Sequence, residues 1–156
     1  MISIYNVLTG AEQPALDTTR IVNCTAASLT VTRALHSGKI ITLNLATGIA
    51  LALPNATGTG AFYTFVNMTA LSGSGHVFTR GVTADAMVGI CAIGKAAGTS
   101  TTFLTASNSN TVTLNGTTTG GLGGDYIELV DIALNQWFIN LTLWGSGTLA
   151  TPFSNS

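Results

Sequence analysis

Few side chains in this sequence have the types and spacing that catalysis requires. The two histidines, His36 and His76, lie near no carboxylate or nucleophile in a recognisable motif. General acid–base catalysis needs a positioned proton donor or acceptor, and nucleophilic catalysis needs a base within reach of the nucleophile. His36 precedes a predicted turn at Ser37 and Gly38, and His76 begins a predicted strand. We therefore predict structural or solvent-facing roles for both histidines, and no enzymatic activity.

The densest group of acidic residues is Asp125, Glu128 and Asp131, which could suggest a calcium site. The segment has the pattern of a β-strand, in which successive side chains point to opposite faces, so Asp125 and Glu128 are separated. The ligand spacing of an EF-hand is also absent. The remaining acids are dispersed, and the sequence predicts no metal site, no cofactor and no hydrolase site.

The two cysteines, Cys24 and Cys91, lack the CxxC or Cys/His spacing of a metal site. Each lies in an apolar, strand-like segment, which favours buried free thiols that pack as small hydrophobic groups. A disulfide bond between them is left open, because it requires opposed strands that the sequence does not place.

Segment 117–124 is rich in glycine but matches neither a dinucleotide-binding motif nor a Walker A motif. Strands are predicted on both sides of it. We interpret it as a flexible or tightly turned connection between strands, in which glycine permits positive φ.

Charged residues are scarce, at 7% of the 156 residues, against roughly 25% in an ordinary soluble domain. Threonine, glycine, alanine and asparagine take their place. The length fits one domain, and a hydrophobic fraction of 46% is normal for a packed core. This composition indicates a β-rich protein that covers much of its surface with copies of itself or with a larger partner.

Two classes of partner are not predicted. The net charge is −1 and the five basic residues are scattered singly, so there is no basic patch for nucleic acid. The longest apolar stretch, around 49–53, is far shorter than the roughly 18 residues that span a bilayer. The opening residues also lack the pattern of a signal peptide, so neither membrane insertion nor export is predicted.

Short runs of β-branched and aromatic residues alternate with turn residues at intervals of about ten, which is typical of a sandwich or barrel. The predicted strands are 20–24, 28–34, 39–44, 49–53, 61–67, 76–80, 86–93, 101–105, 110–115, 125–130 and 136–143. Segments 39–44 and 49–53 are interpreted as consecutive antiparallel strands, and no segment shows a helical period. We predict an all-β fold, an antiparallel β-sandwich or jelly-roll-like domain of about ten strands at 20–147, with an N-terminal arm at 1–19 and a C-terminal tail at 148–156.

Aromatic residues lie on both faces of the strand that contains Trp137, because Phe138 and Trp144 fall on the face opposite to it. A central strand explains this pattern, and so does an oligomer interface, in which aromatic anchors are enriched. Both explanations are left open. The candidate interface residues are Ile2, Ile4, Tyr5, Val7, Leu8, Trp137, Phe138, Trp144 and Phe153.

The N-terminal arm is apolar over its first eight residues, and the segment 10–14 follows without a clear hairpin partner. It is interpreted either as a frayed terminus or edge strand, or as a strand that adds to a neighbouring subunit by β-augmentation. The tail offers Leu149 and Phe153 as minor anchors and could be a shorter arm of the same kind.

A family resemblance lies in blocks that cover most of the chain from about 19 to 153. The blocks are residues 19–39, residues 43–54 (LNLATGIALALP), residues 58–65 (GTGAFYTF) and residues 114–129 (LNGTTTGGLGGDYIEL), followed by Trp137. They resemble a group of small virion proteins of tailed bacteriophages. The resemblance implies a head decoration, or cement, protein, which is a β-sandwich that is typically trimeric and clamps neighbouring major capsid subunits from outside. The group supplies no catalytic residue.

The expected function is therefore structural. We expect a homotrimer that is made in the cytoplasm of the host bacterium, binds the major capsid protein on the exterior of the phage head and stabilises the assembled shell. A surface rich in threonine suits this role, because hydroxyl groups cost less to desolvate than ions. The alternative is a carbohydrate- or receptor-binding β-sandwich module of a phage fibre, in which an exposed Trp144 or Tyr63 stacks on sugars.

Overall fold

The alternating apolar residues form β-strands in the computed structural model, which describes residues 4–5, 12–13, 19–73, 75–96 and 98–156. The elements are β1 (Ile4–Tyr5), β2 (Glu12–Gln13), β3 (Ile21–Cys24), β4 (Ser28–Thr30), α1 (Arg33–His36), β5 (Ile40–Leu43), β6 (Ala50–Ala52), β7 (Phe62–Asn67), β8 (His76–Thr79), β9 (Ala86–Lys95), β10 (Ser100–Leu104), β11 (Thr111–Leu114), β12 (Tyr126–Ala133), β13 (Gln136–Gly145) and β14 (Phe153–Ser154). The predicted all-β class is confirmed.

Twelve of these strands form two sheets, consistent with a β-sandwich. The larger sheet has seven strands in the order β10-β9-β13-β12-β7-β5-β3, and the smaller sheet has five in the order β14-β11-β8-β6-β4. Inward side chains of the two sheets meet in one apolar core. Phe65 of the larger sheet contacts Phe78 of the smaller one edge to face, with ring centroids 5.0 Å apart, an arrangement that aromatic pairs favour.

The first half of the chain winds as a superhelical coil of β-strands, in which successive strands belong alternately to the larger and the smaller sheet. Strands β3, β5 and β7 are parallel neighbours in the larger sheet, and β4, β6 and β8 are parallel neighbours in the smaller one. Each turn of the coil therefore adds one strand to each sheet. Segments 39–44 and 49–53 were predicted to pair antiparallel; this is wrong, because β5 and β6 lie in different sheets. A parallel partner needs a crossover connection, and here the crossover is a strand of the opposite sheet.

The second half of the chain completes both sheets with strands that pair antiparallel, except for one parallel pair. Strands β9 and β13 pair in parallel over ten residues, from Ala86 beside Gln136 to Lys95 beside Gly145. Strand β13 then pairs antiparallel with β12, and β12 with β7, which joins this half to the coil. The wholly antiparallel sandwich that the sequence favoured is thus a sandwich of two mixed sheets.

A short helix replaces the end of the strand predicted at 28–34. Strand β4 ends at Thr30, and the Thr32 side chain accepts a hydrogen bond from the backbone N–H of Leu35 at 3.4 Å. The backbone N–H of Thr32 donates to Nδ1 of His36 at 2.9 Å. Threonine caps helix N-termini through such local bonds, which compete with strand pairing. His36 is buried at the end of α1, and the predicted turn at Ser37 and Gly38 follows it.

Short strands lie in both of the segments that were predicted as an arm and a tail. The tail contributes β14, which pairs with β11 in the smaller sheet. At the N-terminus, Ile4 pairs with Gln13 and Tyr5 with Glu12, so the apolar segment does have a short hairpin partner. The predicted contact residues Ile2, Val7 and Leu8 lie outside the described residues.

Candidate interaction surface

The outer face of the larger sheet carries apolar side chains side by side on four adjacent strands. Val88 of β9 lies beside Phe138 of β13, Phe138 beside Val130 of β12, and Val130 beside Phe62 of β7. Val88 and Phe138 are 40% exposed and Phe62 is 48% exposed. Contiguous exposed apolar groups, unlike single ones, mark an interaction site. We name these four residues the apolar row.

Charge is almost absent from this outer face. The next row of side chains across the sheet holds Asn140, Glu128 and Thr64 at its centre. Apolar residues flank this centre, namely Leu104 and Ile90 on one side and Ile40 and Ile21 on the other. Between the strand ends, Glu128 is the one charged residue that these seven strands turn outward. A partner could therefore cover the face without desolvating many ions.

The structure separates the predicted contact residues of β13 and β14 into two groups. Trp137 is 1% exposed and Phe153 is 8% exposed. Both side chains pack in the core, so their prediction as partner contacts is wrong. Phe138 and Trp144 point outward, as the alternation predicted, and stay available to a partner. Tyr63 is also fully buried and packs edge to face on Trp137, with ring centroids 5.8 Å apart; its prediction as an exposed sugar platform is wrong.

An open cavity of about 520 Å³ lies beside Trp144, at the end of the larger sheet. Its lining residues are Lys95, Ala96, Leu122, Gly123, Trp144, Gly145 and Ser146. The cavity forms because parallel pairing of β9 with β13 brings Lys95 beside Gly145, and because the glycine-rich loop closes one side. The sequence did not reveal it, since nothing in the residue pattern predicted this parallel pair.

The glycine-rich loop is tightly turned. Gly116, Gly120, Gly121 and Gly124 all have positive φ, which glycine adopts without steric cost. A Cβ atom on Gly121 would lie 2.5 Å from the backbone nitrogen of Gly116, so the loop folds back on itself. Of the two interpretations, flexible or tightly turned, the structure confirms the second.

Asp125 connects this loop to the end of β13 through hydrogen bonds. Its carboxylate accepts hydrogen bonds from the backbone N–H of Gly121 at 2.5 Å and of Trp144 at 2.7 Å. Burial raises the pKa of Asp125 to about 6, although the N–H groups of Gly121, Trp144 and Leu122 act to lower it. The acid therefore holds the cavity wall and the backbone of Trp144 in one arrangement.

His76 and Asn67 support the loop from the core. His76 Nδ1 accepts from the backbone N–H of Ile49 at 3.1 Å, so the proton of the neutral ring lies on Nε2, which faces Asn67 Oδ1 at 3.1 Å. The Asn67 amide then donates to the carbonyl of Leu122 at 3.0 Å. Burial lowers the pKa of His76 to about 4. His76 is therefore not solvent-facing, and its hydrogen bonds link the two sheets to the loop.

Asp131, at the other end of β12, organises a second loop. Its buried carboxylate accepts from the backbone N–H groups of Thr57 at 2.8 Å and Gly58 at 2.6 Å and from the Thr59 hydroxyl at 2.7 Å. Arg33 lies 3.4 Å away as an ion-pair partner. Burial raises the pKa of Asp131, but the hydrogen bonds from Thr59, Gly58 and Thr57 outweigh burial and hold it below its ordinary value. Strand alternation predicted that Asp125 and Glu128 lie on opposite faces; the loops that Asp125 and Asp131 bind were not predicted.

The thiols and the remaining acids form no further site among the described residues. Cys24 and Cys91 are buried free thiols, as predicted, and lie on the separate strands β3 and β9. Burial and then the charge of Asp125 raise the pKa of Cys91 to about 12, which disfavours the nucleophilic thiolate form. In the described residues, no group of three or more His, Cys, Asp or Glu side chains could hold a metal ion, and no helix is long and apolar enough to cross a membrane.

Comparison of the chain with protein-family models, curated proteins and solved structures gives no match. The function must therefore be inferred from the residues themselves and from the surfaces that the fold exposes. Two such surfaces are the apolar row and the cavity beside Trp144.

Proposed function

We propose that this chain is a structural virion protein that decorates the outside of a tailed-phage head as a homotrimer and stabilises the assembled shell. The observation that carries the proposal is the outer face of the larger sheet, which sets the apolar row in surroundings nearly free of charge. The resemblance of the sequence to small phage virion proteins supports the same assignment. A protein that works by covering surface needs such a face, whereas an enzyme needs convergent reactive groups.

The apolar row suits contact between copies of this chain. Phe138 and Phe62 offer large, rigid rings, and such side chains supply much of the binding energy at protein interfaces. Val88 and Val130 fill the space beside them and exclude water. In the proposed trimer this face lies towards the symmetry axis, and the N-terminal arm, which precedes the edge strand β3, lies towards the shell.

Stabilisation of the shell follows from selective binding. A trimer that binds only the assembled shell lowers the free energy of that state by an amount set by its concentration and affinity. Three arms on one trimer would also bind with avidity, because the second and third contacts become intramolecular once the first has formed.

Deleting residues 1–18 tests the arm. We expect the shortened protein to keep its fold and its oligomeric state, because β1 and β2 form a sheet apart from the two large ones. We expect its binding to heads stripped of the protein to fall at least tenfold, as measured by co-sedimentation. The control is an unchanged circular dichroism spectrum and melting temperature. Unchanged occupancy on the heads would contradict the role of the arm.

The substitution Phe138→Glu tests the apolar row. The side chain points outward, so we expect the monomer fold to persist while the charge, buried without a partner, dissociates the trimer. Light scattering should show a mass about one third of that of the unmodified protein at equal concentration, the ratio that cyclic threefold symmetry requires. Leu134→Glu is the matched control, since Leu134 is more exposed and lies outside the row. If the unmodified protein is a monomer that ignores stripped heads, the proposed function is wrong.

A further inference from the structure

We propose that the cavity beside Trp144 binds saccharides that carry a carboxylate group. This inference goes beyond the decoration role and does not depend on it.

The Trp144 ring is held against the sheet with part of its surface open. Its six-membered ring lies beside Gly94 on the neighbouring strand, where an added Cβ atom would come within 3.0 Å of Cζ3 and 3.2 Å of Cε3. The missing side chain at Gly94 therefore makes room for the ring. The Trp144 side chain is nevertheless 46% exposed. A fixed, half-open aromatic ring is a surface on which the C–H groups of a sugar can stack, because its face is electron-rich.

The rest of the lining supplies polar contacts and one positive charge. Lys95 is the one charged residue of the lining, and Ser146 contributes a hydroxyl group. Gly123 and Gly145 place backbone groups at the cavity wall without side chains to cover them. The acid close behind the wall is Asp125, which is fully buried with both oxygens engaged by backbone N–H groups. The lining thus complements an anionic group beside a hydroxylated ring.

The size and position of the cavity fit a small ligand. Its volume of about 520 Å³ lies within the range of roughly 300–1,000 Å³ that is usual for small-molecule sites. Trp144 is six residues beyond Phe138 on β13, about 20 Å along the strand at the usual rise per residue. A partner seated on the apolar row would therefore leave the cavity accessible. One lysine is too little positive charge for a nucleic acid.

The test is a titration of the purified full-length protein with two acidic probes, tetragalacturonate and an α2,8-linked sialic acid tetramer. A neutral galactose tetrasaccharide is the comparison. Binding is followed by calorimetry and by tryptophan fluorescence, in which the buried Trp137 gives a constant background and Trp144 reports on the cavity. We expect saturable binding of at least one acidic probe, tenfold or more tighter than that of the neutral sugar.

Three variants test whether binding depends on Trp144 and Lys95. Trp144→Ala should weaken binding at least tenfold, and Lys95→Met should reduce the affinity for the acidic probe to that for the neutral one. Leu134→Ala, at an exposed site outside the cavity lining, should bind as the unmodified protein does. Lys95→Met also decides the question if Trp144→Ala fails to fold, because it leaves the aromatic ring in place.

Three outcomes would overturn the proposal. These are no saturable binding of either acidic probe to the folded protein at millimolar concentration, unchanged binding by folded Trp144→Ala, and an acidic preference that survives Lys95→Met. None of them bears on binding to phage heads, so failure here and failure of the decoration role are distinguishable.

Discussion

Gly89→Ala is expected to destabilise the fold severely. A Cβ atom at this position would lie 1.8 Å from the carbonyl oxygen of Ile139 and 2.8 Å from its carbonyl carbon. The clash involves backbone, which cannot turn aside as a flexible side chain can. Strand β13 is also held by β12 on its other edge, and the Ile139 side chain is fully buried, so β13 has no direction in which to move.

The cost should exceed about 4 kcal/mol, the scale reached when a substitution strains the backbone at a close contact. Since a domain of this size has a free energy of unfolding of roughly 5–15 kcal/mol, a loss on this scale removes a large part of the stability. Gly89 also donates its N–H to the Thr105 hydroxyl at 3.1 Å and accepts from the Thr105 N–H at 3.2 Å. Displacing Gly89 would therefore loosen the segment that follows β10 as well.

Gly94→Ala is the matched control, because it lies on the same strand and meets only the side chain of Trp144. We expect a change of less than about 1.5 kcal/mol, since the ring can shift by a few tenths of an ångström. Urea denaturation of both variants measures the difference. Equal stability of Gly89→Ala and the unmodified protein would show that β9 and β13 do not pair in parallel at this register.

His76 and Asp125 should make opposite contributions to the pH dependence of stability. The folded-state pKa of His76 is lowered from 6.5 to about 4 by burial. As the pH falls through this window the unfolded chain takes up the proton first, so stability is lost. The pKa of Asp125 is raised from 3.8 to about 6, again by burial. As the pH rises through that window the unfolded chain releases its proton first, so stability is lost in the other direction.

The two windows overlap between pH 4 and 6, where the two effects should nearly cancel. A shift of about two pKa units corresponds to about 3 kcal/mol for each group. His76→Gln should therefore gain about 3 kcal/mol relative to the unmodified protein between pH 7 and pH 4. Asp125→Asn should show the reverse trend, with its relative stability rising by a similar amount as the pH increases from 4 to 6.

Urea unfolding at pH 4, 5, 6 and 7 measures these differences, and the double variant is the control that should remove both trends. The measured quantity is the change with pH in the stability difference between each variant and the unmodified protein. A loss from altered hydrogen bonding that is the same at every pH does not affect it. A His76→Gln variant whose stability difference from the unmodified protein is the same at pH 4 and pH 7 would contradict the assignment of a buried, neutral imidazole.

Strand alternation predicted much of this fold because it depends only on local sequence. It placed Trp137 and Phe138 on opposite faces, Asp125 and Glu128 on opposite faces, and Cys24 and Cys91 in buried positions. The pairing of strands depends on residues far apart in the sequence. Local patterns therefore could not predict the parallel coil from β3 to β8 or the parallel pair of β9 with β13. Helix α1 was missed because the hydrogen bonds of Thr32 and His36 override a β-branched pattern that continues through Val31 and Thr32.

The candidate surfaces also depend on contacts between residues that are far apart in the sequence. The alternation of β13 placed Phe138 on the face opposite to Trp137, but its neighbours in the apolar row became known only from the pairing register. The cavity depends on three separate segments, which contain Lys95, Leu122 and Trp144, and on the buried supports of the loop. A histidine in an apolar strand signals a buried polar partner, yet the partner Asn67 lies nine residues away on the opposite sheet, where no local pattern could find it.

The coil of parallel strands has a mechanical consequence. A pulling force applied through the N-terminal arm would enter the fold at β3, an edge strand that pairs with β5 over only four residues. Under load, β3 and then β4 could peel away as one turn, while the ten-residue pairing of β9 with β13 at the far side stays closed. A protein anchored in this way would yield stepwise at one end before its main body gives way.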